Sequence, residues 1–158
     1  MSLRGALNPC NEKIENWRYE MKKILVCYDG SEWSKKALSE AINLSKKFDS
    51  HITVLSVVPQ VCFLEIGIDC ATVESIFKAE TEGNLNVAKK ILKEEGVKGE
   101  TLLLEGTPAD VIVDHARDNN YDLIVIGSKG KDATERTLFG SVTLKVASNA
   151  AQSVLIVR

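Results

Sequence analysis

The chain has 158 residues, of which 44% are hydrophobic and 27% charged, and its formal net charge is −2. That length supports one domain with a full core, and the charge excludes the basic field that gathers nucleic acid. No apolar stretch is long enough for a membrane span, and the N-terminal segment lacks the apolar core of a secretory signal, so the expected location is the cytoplasm.

Residues 1–20 read as an extension, either disordered or a non-native start, being polar and of mixed charge with Gly5 and Pro9. The domain proper is expected over 21–158, opening on Met21-Lys22-Lys23-Ile24. Residues 23–28 form an apolar, β-rich run, strand one. Asp29-Gly30-Ser31 supplies turn chemistry, and Ser31 suits the N-cap of a helix over 32–48. The apolar stripe of that helix is Ala37, Leu38, Ala41, Ile42 and Phe48. Strand two runs over 52–58 and stops at Pro59. The following loop carries Phe63, Leu64, Ile66 and Ile68, which suit contact with an apolar body or partner.

A long helix is predicted over 72–95, burying Ile76, Leu85, Ala88, Ile91 and Leu92. Gly83 weakens its middle and Gly96 ends it. Strand three covers 99–104. Thr107-Pro108-Ala109-Asp110 is a strong helix start, leading to a helix that ends near Asn119 and carries His115 inward as a packed residue. Residues 123–126 form strand four, a helix begins near Gly140-Ser141 and runs to Asn149, and residues 154–157 form strand five. The cysteines, Cys10, Cys27, Cys62 and Cys70, make no CxxC pair and lie far from His51 and His115, so zinc is disfavoured. Cys27 reads as a small buried hydrophobe. A Cys62–Cys70 disulfide is not expected in a cytosolic protein unless its source is hyperthermophilic.

Strands alternating with helices, and rich in β-branched residues on both faces, specify α/β architecture with an open parallel sheet covered on both faces. In such sheets a ligand sits beyond the carboxyl ends of the strands, where the strand order reverses. The segment after strand four fits that place. Gly127, Gly130 and Gly140-Ser141 are separated by two and nine residues and follow the run Leu123–Ile126. Glycines let backbone amides approach an anion, and a helix N-terminus adds unpaired N–H groups and a positive dipole end. The GxGxxG dinucleotide fingerprint is missing after strand one, where Asp-Gly-Ser-Glu stands instead. A Walker loop is not supported either, because only two residues separate Gly127 from Gly130-Lys131, and Asp132 follows.

At these residues the chain resembles the universal stress protein family, in its ATP-binding branch. The match is Gly127-x2-Gly130-x9-Gly140-Ser141, the Asp29-Gly30-Ser31 turn and the closing strand, and it covers essentially all but the N-terminal extension. The resemblance implies an adenine nucleotide α-hydrolase-like fold, a five-stranded sheet of order 3-2-1-4-5 with two helices per face. It also implies ATP, or ADP or AMP, between strands one and four, and a homodimer. Carried over by position, Asp29 stands near the adenosine and Val57 against the adenine. Ile126 and Gly127 lie beneath the nucleotide, and Gly130, Gly140, Ser141 and Val142 meet ribose and phosphates. Tyr28 occupies a place where the family has a small residue, beside the base, and Lys129 stands where His or Arg is frequent.

The residues alone allow a second reading at three of these positions. Ser141 is either a phosphate donor or a helix cap, Asp29 a ribose acceptor or a helix-start acid, and Lys129 a phosphate contact or a solvated lysine. Mg2+ is expected only through the phosphates, with Ser141 or water. Hydrolysis needs an oriented water and a charge clamp. The sequence assigns no catalytic residue and no metal ligand, although Asp132 and Arg136 lie in the glycine loop. The expectation is a nucleotide-binding signalling or stress-response dimer with an unknown protein partner. The alternative is a slow ATPase or nucleotidyl-transfer enzyme. Strand five, as an apolar edge, is the expected dimer contact, over 153–157.

Overall fold

A computed structural model describes residues 20–60, 69–132, 134 and 136–158. Expectations about the N-terminal extension, Cys10, Cys62 and the apolar loop residues 63–68 lie outside the described residues. The elements alternate as β1 (Lys23–Cys27), α1 (Glu32–Phe48), β2 (His51–Val58), α2 (Cys70–Glu94), β3 (Gly99–Glu105), α3 (Pro108–Asp118), β4 (Leu123–Gly127), α4 (Ser141–Asn149) and β5 (Ser153–Val157). All pairings are parallel and the sheet order is β3-β2-β1-β4-β5.

The register follows from the apolar runs. Ile24 lies beside Ile52 and Leu123, and Val26 beside Val54 and Val125. Alternate residues of β1 feed opposite layers. Ile24 and Val26 pack with Ala37, Leu38, Ala41 and Ile42 of α1 and with Leu85, Ala88 and Leu92 of α2. Leu25 and Cys27 pack with Ala109, Ile112 and Ala116 of α3 and with Val146 of α4. Ile24, Leu25 and Val26 are fully buried, and each such side chain contributes about 1.5–3 kcal/mol over an exposed one. Asp122 fixes the starting edge of the sheet, its Oδ2 accepting from the Lys22 and Lys23 amides at 2.8 and 2.9 Å.

Helix ends follow local chemistry. The Ser31 hydroxyl accepts from Ser34 N at 3.2 Å, capping α1 as expected. The start of α2 lies before the predicted position because Asp69 caps it, accepting from Ala71 N and the Thr72 hydroxyl. Thr107 occupies the N-cap of α3 without a side-chain cap bond, Pro108 having taken the first helical position.

Two side chains of the expected apolar stripes are in solvent. Phe48 is exposed because burial along α1 ends at Ser45, whose hydroxyl donates to Ser50 O, and the last turn carries Lys46 and Lys47 outward. Ile76 is exposed because α2 buries residues only from Leu85 onward. The first half of α2 therefore buries no side chain in the core and meets the sheet at its edge, where Lys78 Nζ lies 3.2 Å from Glu105 of β3. His115 is half-buried beside Tyr121 and Asn119, and burial, then Lys23, pushes its imidazole below the usual histidine range. Cys70 is disulfide-bonded, against the expectation of reduced thiols, and its partner lies outside the described residues.

Candidate functional site

The strand order places β1 and β4 side by side, so the loops that leave their carboxyl ends flank one crevice. Each loop is anchored. Tyr28 N donates to Leu55 O at 2.8 Å, and the Ser56 hydroxyl donates to Tyr28 O at 2.5 Å, holding the end of β1 to β2. After β4, Ser128 N donates to Val157 O at 2.7 Å and Gly140 N to Ser128 O at 2.8 Å. The second bond closes the glycine loop at its base. The Thr143 hydroxyl donates to Gly127 O at 2.8 Å, seating α4 on the tip of β4.

Asp29 joins the two loops. Its Oδ1 accepts from Ser31 N at 2.9 Å and its Oδ2 from Lys131 N at 3.2 Å. It thus supports the start of α1, as the helix-start reading has it, and also reaches across the crevice. Gly30 has φ +79°, a left-handed conformation that glycine adopts without a steric penalty. An added Cβ there would stand 2.6 Å from the Asn84 side chain.

The crevice encloses a cavity of about 640 Å³, within the range of about 300–1,000 Å³ for small-molecule sites. Tyr28, Asp29, Val57, Ile126, Gly127, Lys129, Gly130, Gly140, Ser141 and Val142 all line it. Gly140 is the N-cap of α4 without a side-chain cap bond, so Ser141 is the first helical residue and does not act as the cap. The amides of Ser141, Val142 and Thr143 have no carbonyl within the helix to donate to. Together with the α4 dipole they form a partly positive floor.

Two expected residues are placed differently from a simple ligand contact. Tyr28 borders the cavity, yet its ring is packed into the layer under α1 and α2, with only 4% of the residue exposed. Burial raises its hydroxyl above the usual range. The Lys129 ammonium lies 5.6 Å from the centroid of the Trp33 ring and 3.5 Å from Thr134 O. Beneath them, Cys27 is buried, and desolvation, then the charge of Asp29, pushes its thiol up to about 12.

Several cavity residues do not stand out in the sequence. Phe77, Glu80, Thr81 and Asn84 come from the part of α2 that precedes its buried residues. Their spacing of three, four and seven is a helical stripe, the available signal, but its mixed polarity reads as a solvated face. Asn84 Nδ2 donates to Asp29 O at 3.5 Å. Lys131 pairs with Glu80, Nζ to Oε1 2.5 Å, and both residues line the cavity. Among the described residues no three His, Cys, Asp or Glu side chains converge as a metal site. Nor is any described helix long and apolar enough to cross a membrane.

Comparison with known proteins agrees with this architecture. The family profile described as Universal stress protein family matches residues 20–158. Universal stress protein MJ0531 of Methanocaldococcus jannaschii is 38% identical over 150 residues, covering 94% of this chain and 88% of the relative. The solved structure of hypothetical protein MJ0577 superposes with a TM-score of 0.77 at 28% identity, covering 87% of this chain and 96% of that one. A universal stress protein solved in complex with cAMP superposes at 0.68 with 25% identity, covering 88% of this chain and 98% of that one. A profile match over the whole described domain, with close relatives spanning nearly their full length, means that the chain belongs to the universal stress protein family.

Proposed function

We propose that the chain binds an adenine nucleotide, ATP with ADP and AMP as further occupants, and acts in the cytoplasm as a nucleotide-dependent signalling or stress-response homodimer. One juxtaposition carries the reading. Amides at the start of α4 border the same cavity as the apolar Val57 and Ile126 and the acidic Asp29. Those three chemistries suit a phosphate chain, an adenine ring and a ribose hydroxyl respectively. The cAMP complex of a structural relative supports an adenine nucleotide as the class of ligand. Mg2+ accompanies the nucleotide through its phosphates, with the Ser141 hydroxyl or water completing its shell. Occupancy of the cavity alters the surface formed by the glycine loop and α2, and this is where a protein partner reads the bound state.

The test is direct. Freshly purified protein, denatured and analysed by mass spectrometry, is expected to release an adenine nucleotide. Nucleotide-free protein is expected to give a saturable heat on titration with ATP. A flat titration at millimolar ATP overturns the reading. The second reading, slow hydrolysis or nucleotidyl transfer, rests on Asp132, a carboxylate that also lines the cavity. It requires phosphate or pyrophosphate release that Asp132→Asn abolishes.

A further inference from the structure

We propose that Glu80 and Lys131 form an exchangeable ion pair that sets which phosphate chain the cavity accepts. Lys131 gives up Glu80 for the outer phosphates of a nucleoside polyphosphate and keeps Glu80 when a monophosphate is bound. The inference rests on the reading that the cavity takes an adenine nucleotide.

Four observations carry it. Glu80 and Lys131 both line the cavity, one from α2 and one from the glycine loop. Their charged ends are 2.5 Å apart, with 56% and 40% of the side chains exposed. An exposed pair contributes little to stability, so it is easily broken by a stronger competitor. The Lys131 backbone is fixed by Asp29, through the 3.2 Å bond from its amide. The side chain can therefore change partners while the loop stays in place. Lys129, the other lysine of this loop, stands against Trp33 on α1 instead. Lys131 is thus the loop lysine whose ammonium pairs with α2 beside the cavity.

A carboxylate on the cavity wall repels a phosphate tail, and repulsion is a common means of discrimination. Glu80 acts twice, by its own charge and by holding a cation back. A monophosphate is met by the amides of α4 and gains little from Lys131. A longer chain of phosphates offers Lys131 a denser negative partner than one carboxylate, and charge-assisted contacts to phosphate are strong. When the exchange occurs, the side-chain link between the glycine loop and α2 is lost. Polyphosphate and monophosphate then leave different surfaces at the cavity mouth.

The experiment compares ATP and AMP dissociation constants for nucleotide-free wild type, Glu80→Gln, Lys131→Gln and the double variant. Glu80→Gln is expected to tighten ATP by roughly fivefold, the scale of one partly exposed charge contact. Lys131→Gln is expected to weaken ATP by a similar factor, and the double variant to lose the gain of Glu80→Gln, with AMP affected less throughout. An ATP-to-AMP affinity ratio in Glu80→Gln that stays within about twofold of wild type overturns the exchange and leaves the nucleotide reading intact. Wild type that binds neither nucleotide overturns both. A merely structural pair would shift the two nucleotides alike, so the ratio separates specificity from folding.

Discussion

The glycines of the loop that follows β4 have different physical reasons to be glycine. A Cβ added at Gly127 would stand 2.7 Å from the Trp33 carbonyl carbon, a contact with backbone that cannot yield. The first glycine thus permits α1 to pack against the tip of β4. At Gly130 the nearest atom would be Asp29 Oδ2 at 3.1 Å, and at Gly140 it would be Gly130 N at an ordinary 3.6 Å. Gly127→Ala is therefore expected to cost about 1–3 kcal/mol, as overpacking does. Gly140→Ala is expected to cost at most about 1 kcal/mol, through the poorer N-cap. Urea unfolding midpoints of the two variants check the order, and equal midpoints contradict it. The spacing of these glycines is readable from the sequence together with the strand before them. That Gly127 answers to a helix is not, because the opposing backbone comes from a segment nearly a hundred residues earlier. The role of Lys131 is hidden for a similar reason, since its partner Glu80 is brought to it only by tertiary packing.

At the scale of elements, the strands are legible because buried parallel strands need apolar, β-branched residues on both faces. Their observed limits differ from the expected ones by a residue at an end. Helical periodicity is a weaker guide. It tells which side of a helix is apolar, but not how far the neighbouring sheet extends beneath it. Phe48 and Ile76 have the spacing of buried residues and lie in solvent on that account. In the same way the stripe from Phe77 to Asn84 differs from a solvated face only because the first half of α2 stands beside the crevice. Gly83 lies on the exposed side of this helix, and a Cβ added there would have nothing within 4 Å. No packing or backbone conformation requires a glycine at that position. Gly83→Ala is expected to stabilise the protein by about 0.5–1 kcal/mol. The thermal midpoint should rise, and an unchanged or lower midpoint contradicts the account.

At the scale of the molecule, among the described residues β5 is an edge of the sheet, paired on one side with β4. Val154 and Ile156 are half-buried, and Leu155 is 37% exposed. An apolar edge with open backbone groups favours pairing with another strand, and a two-fold axis lets the same strand serve both copies. Light scattering is therefore expected to give the mass of a dimer at micromolar concentration. Leu155→Asp should reduce it to that of a monomer, because like charges facing one another across paired strands are unfavourable. A wild-type monomer under those conditions contradicts dimerisation through this edge.

The bond from Ser128 N to Val157 O has a wider meaning beside that edge. Arg158 adds to it, its guanidinium lying 5.3 Å from the centroid of Phe139, which borders the cavity. Val157 and Arg158 therefore brace the loop that follows β4. Weakening these contacts would slacken the loop without altering its own sequence. Whatever grips the outer margin of the sheet is also one hydrogen bond away from the loop that borders the crevice, so a pull on one is felt at the other without a long relay.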